Sequence, residues 1–272
     1  MEASVIRAKL GLLIRLIDTT TGAAVEESNV RFFVNGQSAR PAPRGGGCFV
    51  FINTEREDIR LDVEAFGFEK AGADVRYEEL DDRIPTCDIF LIPSERNAQR
   101  GTVIGIFGNL PFLEALEAIT PDYPLCRLGS FNVKGHKMTV IKQAGRALDM
   151  DYGYYGILQA DGNSYEKIIV SSTDADSTAI LKKDLQLPYT VNAAVCRIIF
   201  GSVDAKGNYL LRIRDKGGSS KLLVRYVRKG EEYFQRIDLK VPEECVLNAH
   251  LQKKKKPVIE AAEEKEETKE SV

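Results

Sequence analysis

Leu10-Gly-Leu-Leu-Ile-Arg-Leu-Ile17, closed by the turn Asp18-Thr-Thr-Thr-Gly22, is the stretch on which the fold turns. Successive side chains of an extended chain point to opposite sides. Leu10, Leu12, Ile14 and Leu16 therefore share one face, and Lys9 and Arg15 fall on the other. Working outward, Val30-Arg-Phe-Phe-Val34, Gly47-Cys-Phe-Val-Phe-Ile52, Ile59-Arg-Leu-Asp-Val-Glu-Ala-Phe-Gly-Phe68 and Asp88-Ile-Phe-Leu-Ile-Pro93 read as further strands. Ile59, Leu61, Val63 and Ala65 alternate with Arg60, Asp62 and Glu64. One dry face and one wet face is the pattern of antiparallel sheets packed face to face. The expected core holds Leu12, Ile14, Leu16, Phe49, Phe51, Leu61 and Val63.

Certain of these residues also match a family pattern. They are the apolar opening strand, Asp18 to Gly22 with Val25, Val30 on the second strand, Gly47-Cys-Phe-Val-Phe, and Leu61-Asp-Val-Glu-Ala-Phe-Gly-Phe. On them, residues 1–95 resemble the carboxypeptidase regulatory-like, transthyretin-like (prealbumin-like) β-sandwich family. The resemblance implies a Greek-key β-sandwich used mainly for binding and building. It is a likeness of structural motifs, so it carries no reaction with it. The family's small hydrolytic members use clustered histidines and a Tyr-Arg-Gly-Ser end, and neither occurs in this sequence.

Beyond the first domain, Ser94 to Arg100 is polar and reads as a linker. Asn109-Leu-Pro-Phe-Leu-Glu-Ala-Leu-Glu-Ala-Ile-Thr-Pro121 carries helix punctuation: Asn109 to cap, Pro111 in a first turn, and Leu113, Leu116 and Ile119 on one face. Residues 96–124 are thus expected to be a linker with a short helix. Residues 125–250 read as a second antiparallel β-domain. It ends in a four-stranded meander over 194–203, 209–214, 221–228 and 233–239, with glycine turns between. Residues 251–272 hold blocks of lysine and glutamate with almost nothing to bury, and are expected to be a disordered charged tail. The fold class is all-β.

Composition narrows function by subtraction. The chain has 272 residues, a formal net charge of -2 and only two histidines, so no global charge draws it to nucleic acid or anionic membrane. No apolar run is long enough to span a bilayer, and the first residues lack a signal-peptide core; a cytoplasmic protein is the expectation. Cys48, Cys87, Cys126, Cys196 and Cys245 stand singly, which argues against a disulfide framework and a structural zinc site. Gly101-Thr-Val-Ile-Gly-Ile-Phe-Gly108 fits neither the dinucleotide-binding nor the P-loop pattern. The acidic groups Asp149/Asp151, Asp174/Asp176 and Glu78, Glu79, Asp81 and Asp82 lack calcium-loop spacing. No cofactor, metal or catalytic residue is expected.

Two clusters remain as candidate sites. From Lys206 to Lys240 there are ten Lys or Arg against four Asp or Glu. Arg212, Arg214, Lys221 and Arg225 are expected to form a basic face that docks an acidic protein partner. Without a stacking aromatic motif, nucleic acid is the weaker match. Tyr152, Tyr154, Tyr155 and Tyr165 could instead stack on a sugar, although tyrosine also favours strands for packing. The favoured reading is a non-enzymatic structural or adaptor protein in a larger assembly of protein subunits, with a bacterial phage-tail-like particle as one setting. The alternative is a carbohydrate- or ligand-binding module, and a transthyretin-like hydrolase comes last.

Overall fold

The computed structural model describes residues 9–26, 29–94, 103–132, 136–141, 150, 152–174, 177–186, 189–214, 220–239, 245–246 and 252–253. Its regular elements are strands, apart from one 3-10 turn at Tyr77–Glu79. Asp149, Asp151, Asp176, His250 and the charged tail beyond Lys253 lie outside the described residues.

The first module uses β1 (Leu10–Asp18), β2 (Val30–Val34), β3 (Gln37–Ala39), β4 (Ala42–Gly45), β5 (Cys48–Ile52), β6 (Ile59–Ala65), β7 (Ala71–Val75) and β8 (Thr86–Leu91). They form two four-stranded sheets, β4-β5-β1-β8 and β3-β2-β6-β7. Leu12, Ile14 and Leu16 of one sheet and Phe32, Leu61 and Val63 of the other share a single core, with Phe51 in it and Phe49 packed half-buried against it. Replacing Leu61 with Ala is expected to cost about 2–5 kcal/mol, through lost transfer energy and an unfilled cavity. Denaturant unfolding checks it, and an unchanged midpoint would take Leu61 out of the core.

The expectation of wholly antiparallel pairing is corrected at two places, in this module and where Cys245–Val246 run parallel to Val103–Asn109. β8 runs parallel to β1, with Arg15 opposite Asp88 and Ile17 opposite Phe90. Parallel neighbours need a long crossover, and the chain between β1 and β8 supplies it by building the other sheet. Nor is the second face of β1 wet. Arg15 and Ile17 are both buried, because that face lies against the rest of the molecule.

The remaining strands are β9 (Val103–Asn109), β10 (Leu113–Ile119), β11 (Cys126–Asn132), β12 (Lys137–Ile141), β13 (Gly153–Leu158), β14 (Tyr165–Thr173), β15 (Thr178–Leu181) and β16 (Ala194–Arg197). They are followed by β17 (Ile199–Phe200), β18 (Ser202–Val203), β19 (Asn208–Arg214), β20 (Ser220–Arg228), β21 (Glu231–Leu239), β22 (Cys245–Val246) and β23 (Gln252–Lys253). β11 to β16 close into a six-stranded barrel in the order β11-β12-β15-β14-β13-β16, filled by Leu128, Met138, Tyr155, Ile157, Val170 and Val195. The strands on either side of it in sequence build two further sheets, β17-β10-β20-β21-β23 and β18-β19-β9-β22. The barrel is thus inserted between β10 and β17 of a second sandwich.

The expected helix over Asn109 to Thr120 is a strand, and the expected linker supplies both β9 and β10. A register shift between Leu113 and Ala115 in the pairing of β10 with β20 explains the misleading period. A bulge inserts one extra residue, so Leu113 and Leu116, three apart, fall in the same core. The expected meander is also divided. β19 pairs with β9 in one sheet, while β20 and β21 pair in the other. Gln252 and Lys253, placed at the start of the tail, pair with β21.

Candidate functional site

Chemistry-bearing side chains gather where the modules meet. Across β5, β1 and β8, Cys48, Arg15 and Asp88 stand in register on the outer face of the first sandwich. Arg15 is 7% exposed, and its guanidinium meets Asp88 through Nε at 2.6 Å and Nη2 at 2.5 Å. The barrel covers this pair. Tyr154, from β13, donates its hydroxyl to the other Asp88 oxygen, and the Tyr152 ring centre lies 2.9 Å from the Arg15 guanidinium carbon. Phe90, Tyr154 and Phe200 pack as an aromatic triad with ring centres 4.5 to 5.9 Å apart. The backbone N–H of Phe200 donates to Thr19 O at 2.9 Å. Gly22, at φ +65, sits so close that a Cβ would meet Ile198 O at 2.2 Å, so this approach requires glycine on both counts.

A second buried network joins the barrel to the second sandwich. Glu117, on β10 and 4% exposed, accepts from Lys167 Nζ of the barrel and from Arg225 Nη1 of β20, each at 2.5 Å. Arg225 also holds Glu232 at 2.6 Å. Ile119, Leu223 and Phe234 of the sandwich pack with Tyr165, Ala194 and Cys196 of the barrel around it. Lys167 also lies 5.0 Å from the Tyr154 ring centre, so the two networks adjoin.

The candidate residues are therefore divided between roles. Tyr152 and Tyr154 belong to the junction, whereas Tyr155 and Tyr165 are buried in packed cores; the four do not form one open platform. Arg212 reaches the first sandwich, donating to Glu69 at 3.1 Å and to Pro93 O at 3.0 Å. Arg225 lies in the Glu117 network, on the other sheet. Lys221 is exposed on β20, and of Arg214 only the backbone, paired with Val103, is described. Acids accompany two of these arginines: Glu69 and Glu117 come to Arg212 and Arg225 from positions distant in sequence, and Glu232 comes to Arg225 from seven residues away.

Electrostatics at the junction follow burial. Desolvation pushes the Tyr154 hydroxyl up, and the adjacent Asp88 charge adds to it. Burial raises the Cys48 thiol, with Arg15 opposing, so Cys48 is not an activated nucleophile. Burial, then Arg15, pulls the Lys182 ammonium down. A cleft of about 500 Å³ beside the junction is bordered by Arg15, Gly22, Glu26, Cys48, Tyr152 and Arg197. Among the described residues no group of three or more His, Cys, Asp or Glu is placed to hold a metal ion, and no helix is long and apolar enough to cross a membrane.

Tyr165 and Tyr226, both fully buried, are likewise raised by desolvation first. Below the unfolded tyrosine value of about 10 both states keep these protons. Above it the unfolded chain releases them and the folded one does not, so stability is lost as pH rises. Denaturant midpoints across that range, read beside tyrosinate absorbance, are expected to fall. A level midpoint would contradict the assignment.

Asp88 and Glu117 escaped the reading of the sequence, though a signal existed. Arg15 and Glu117 each stand alone in runs apolar on both faces, Leu10 to Ile17 and Ala115 to Ile119. A strand buried on both faces has no solvent for such a charge, so each requires a buried partner. Comparison with protein-family models and with curated proteins finds no match.

Proposed function

We propose that the protein is a non-enzymatic structural or adaptor component that mediates protein–protein contacts in a larger assembly. The observation that carries this reading is where the buried charges lie. Asp88 and Glu117, paired within their own sandwiches to Arg15 and Arg225, also take Tyr154 and Lys167 of the barrel, and these contacts tie the three β-modules at their junctions. Oriented ion pairs of this kind favour one arrangement over others that would leave a buried charge unpaired. Modules held at fixed angles suit a part that sets spacing between neighbours. A phage-tail-like particle is one setting for such a part.

The transthyretin-like, Greek-key character of residues 1–95 belongs to the same proposal, and two four-stranded sheets sharing one core support it. The ligand-binding alternative keeps only the cleft beside Tyr152, since Tyr155 and Tyr165 are interior. Light scattering and negative-stain microscopy of natively purified protein test the proposal. Recovery within a particle of defined stoichiometry supports it. Recovery solely as a free chain from its native source overturns it.

A further inference from the structure

Phe112 stands at the turn between β9 and β10, 65% exposed and with φ +64. That left-handed backbone suits glycine, and a bulky residue in it is an outlier. The turn around it is braced. Leu110 N–H donates to Gly207 O at 2.9 Å, Asn109 Nδ2 to Lys206 O at 3.1 Å, and Gly230 N–H to the Glu114 carboxylate at 3.3 Å. Lys229 sets its ammonium 4.6 Å from the Phe112 ring centre. Three turns thus present one apolar ring flanked by the exposed lysines Lys206 and Lys229. The acids at this tip are engaged within it. Asp204 accepts from Lys206 N and Asn208 N, and Glu114 from Gly230.

The complementary surface lies on the first sandwich. A cleft of about 450 Å³ is lined by Val34, Phe51, Ile59 and Tyr77, together with the polar Asn35, Gln37, Ser38, Thr54 and Glu55. Residues 54–58 and 76–83 around it carry seven acids against three arginines. Tyr77 N–H donates to Asp58 at 3.1 Å and Arg56 to Asp82 O at 3.0 Å, which ties these two loops together. Ile52 and Ile84, at their ends, are exposed. A partly apolar cleft with an acidic rim matches an apolar ring with a basic flank in both shape and charge.

We propose that Phe112 of one copy seats in this cleft of a second copy, a head-to-tail contact that rests on the assembly reading above. Contacts of this kind join unlike surfaces, so they propagate into rings or filaments. The preformed turn lowers the ordering cost of docking, which gives the strained backbone at Phe112 a purpose.

Sedimentation equilibrium of the full chain over a concentration series tests this. The mass is expected to rise with concentration, and less so in high salt. Phe112→Gly removes the ring and relieves the backbone, so it should stay monomeric with a thermal midpoint unchanged or higher; a merely structural Phe112 would lower it. Glu55→Lys with Glu57→Lys should also stay monomeric. Mixing these two proteins should restore a single 1:1 dimer and nothing larger, since one intact knob and one intact cleft remain. A wild-type chain monomeric throughout, or Phe112→Gly associating as wild type does, overturns the proposal. If Phe112→Gly still enters a native particle normally, this contact is overturned while the assembly reading stands.

Discussion

Replacing Asp88 with Ala is expected to lower the unfolding free energy by about 3–5 kcal/mol, the cost of leaving a buried charge without its partner. Arg15 would lose both contacts to Asp88, at 2.5 and 2.6 Å, within a site almost closed to water. Tyr154 would lose the acceptor of its hydroxyl in the same stroke. The pair itself adds little over a well-packed apolar substitute, because desolvation offsets most of the attraction. A double variant, Arg15→Met with Asp88→Leu, is therefore expected to recover most of the lost stability. Chemical denaturation of the three proteins checks both statements. A single variant as stable as the wild type would mean that water reaches Arg15, and that the barrel does not close over this face.

Glu117→Ala is expected to cost about 3 kcal/mol, the lower end of the range for breaking a buried pair. Its two cations fare differently. Lys167 is partly exposed and can turn its ammonium to solvent, whereas Arg225 is largely buried and keeps only Glu232. The loss should appear where barrel and second sandwich meet. Hydrogen exchange is expected to quicken in β10, β14 and β20 while β2 and β6 keep their protection. Uniform quickening throughout the chain would instead mean that the modules unfold as one unit and that Glu117 holds no separate boundary.

What the amino-acid sequence determined by itself was local. Period-two alternation over Ile59 to Ala65 names a half-buried strand because each residue's side follows from its neighbour's, and β6 lies there with Leu61 and Val63 inward. Glycine turns separated β20 from β21 for the same reason: turn chemistry acts over a few residues. What tertiary structure alone decided was which faces meet. A bulge in β10 converts a strand's period into a helix-like one, and only its pairing with β20 reveals the extra residue. β19 and β20 are neighbours in sequence yet part into opposing sheets, which separates Arg212 from Arg225. Each arginine then finds its acid far along the chain, 143 residues away in Glu69 and 108 in Glu117. Charge counted along a sequence cannot register such partners, because packing decides which faces meet, and the buried Glu117 pair forms only when the solvent on both sides has been displaced.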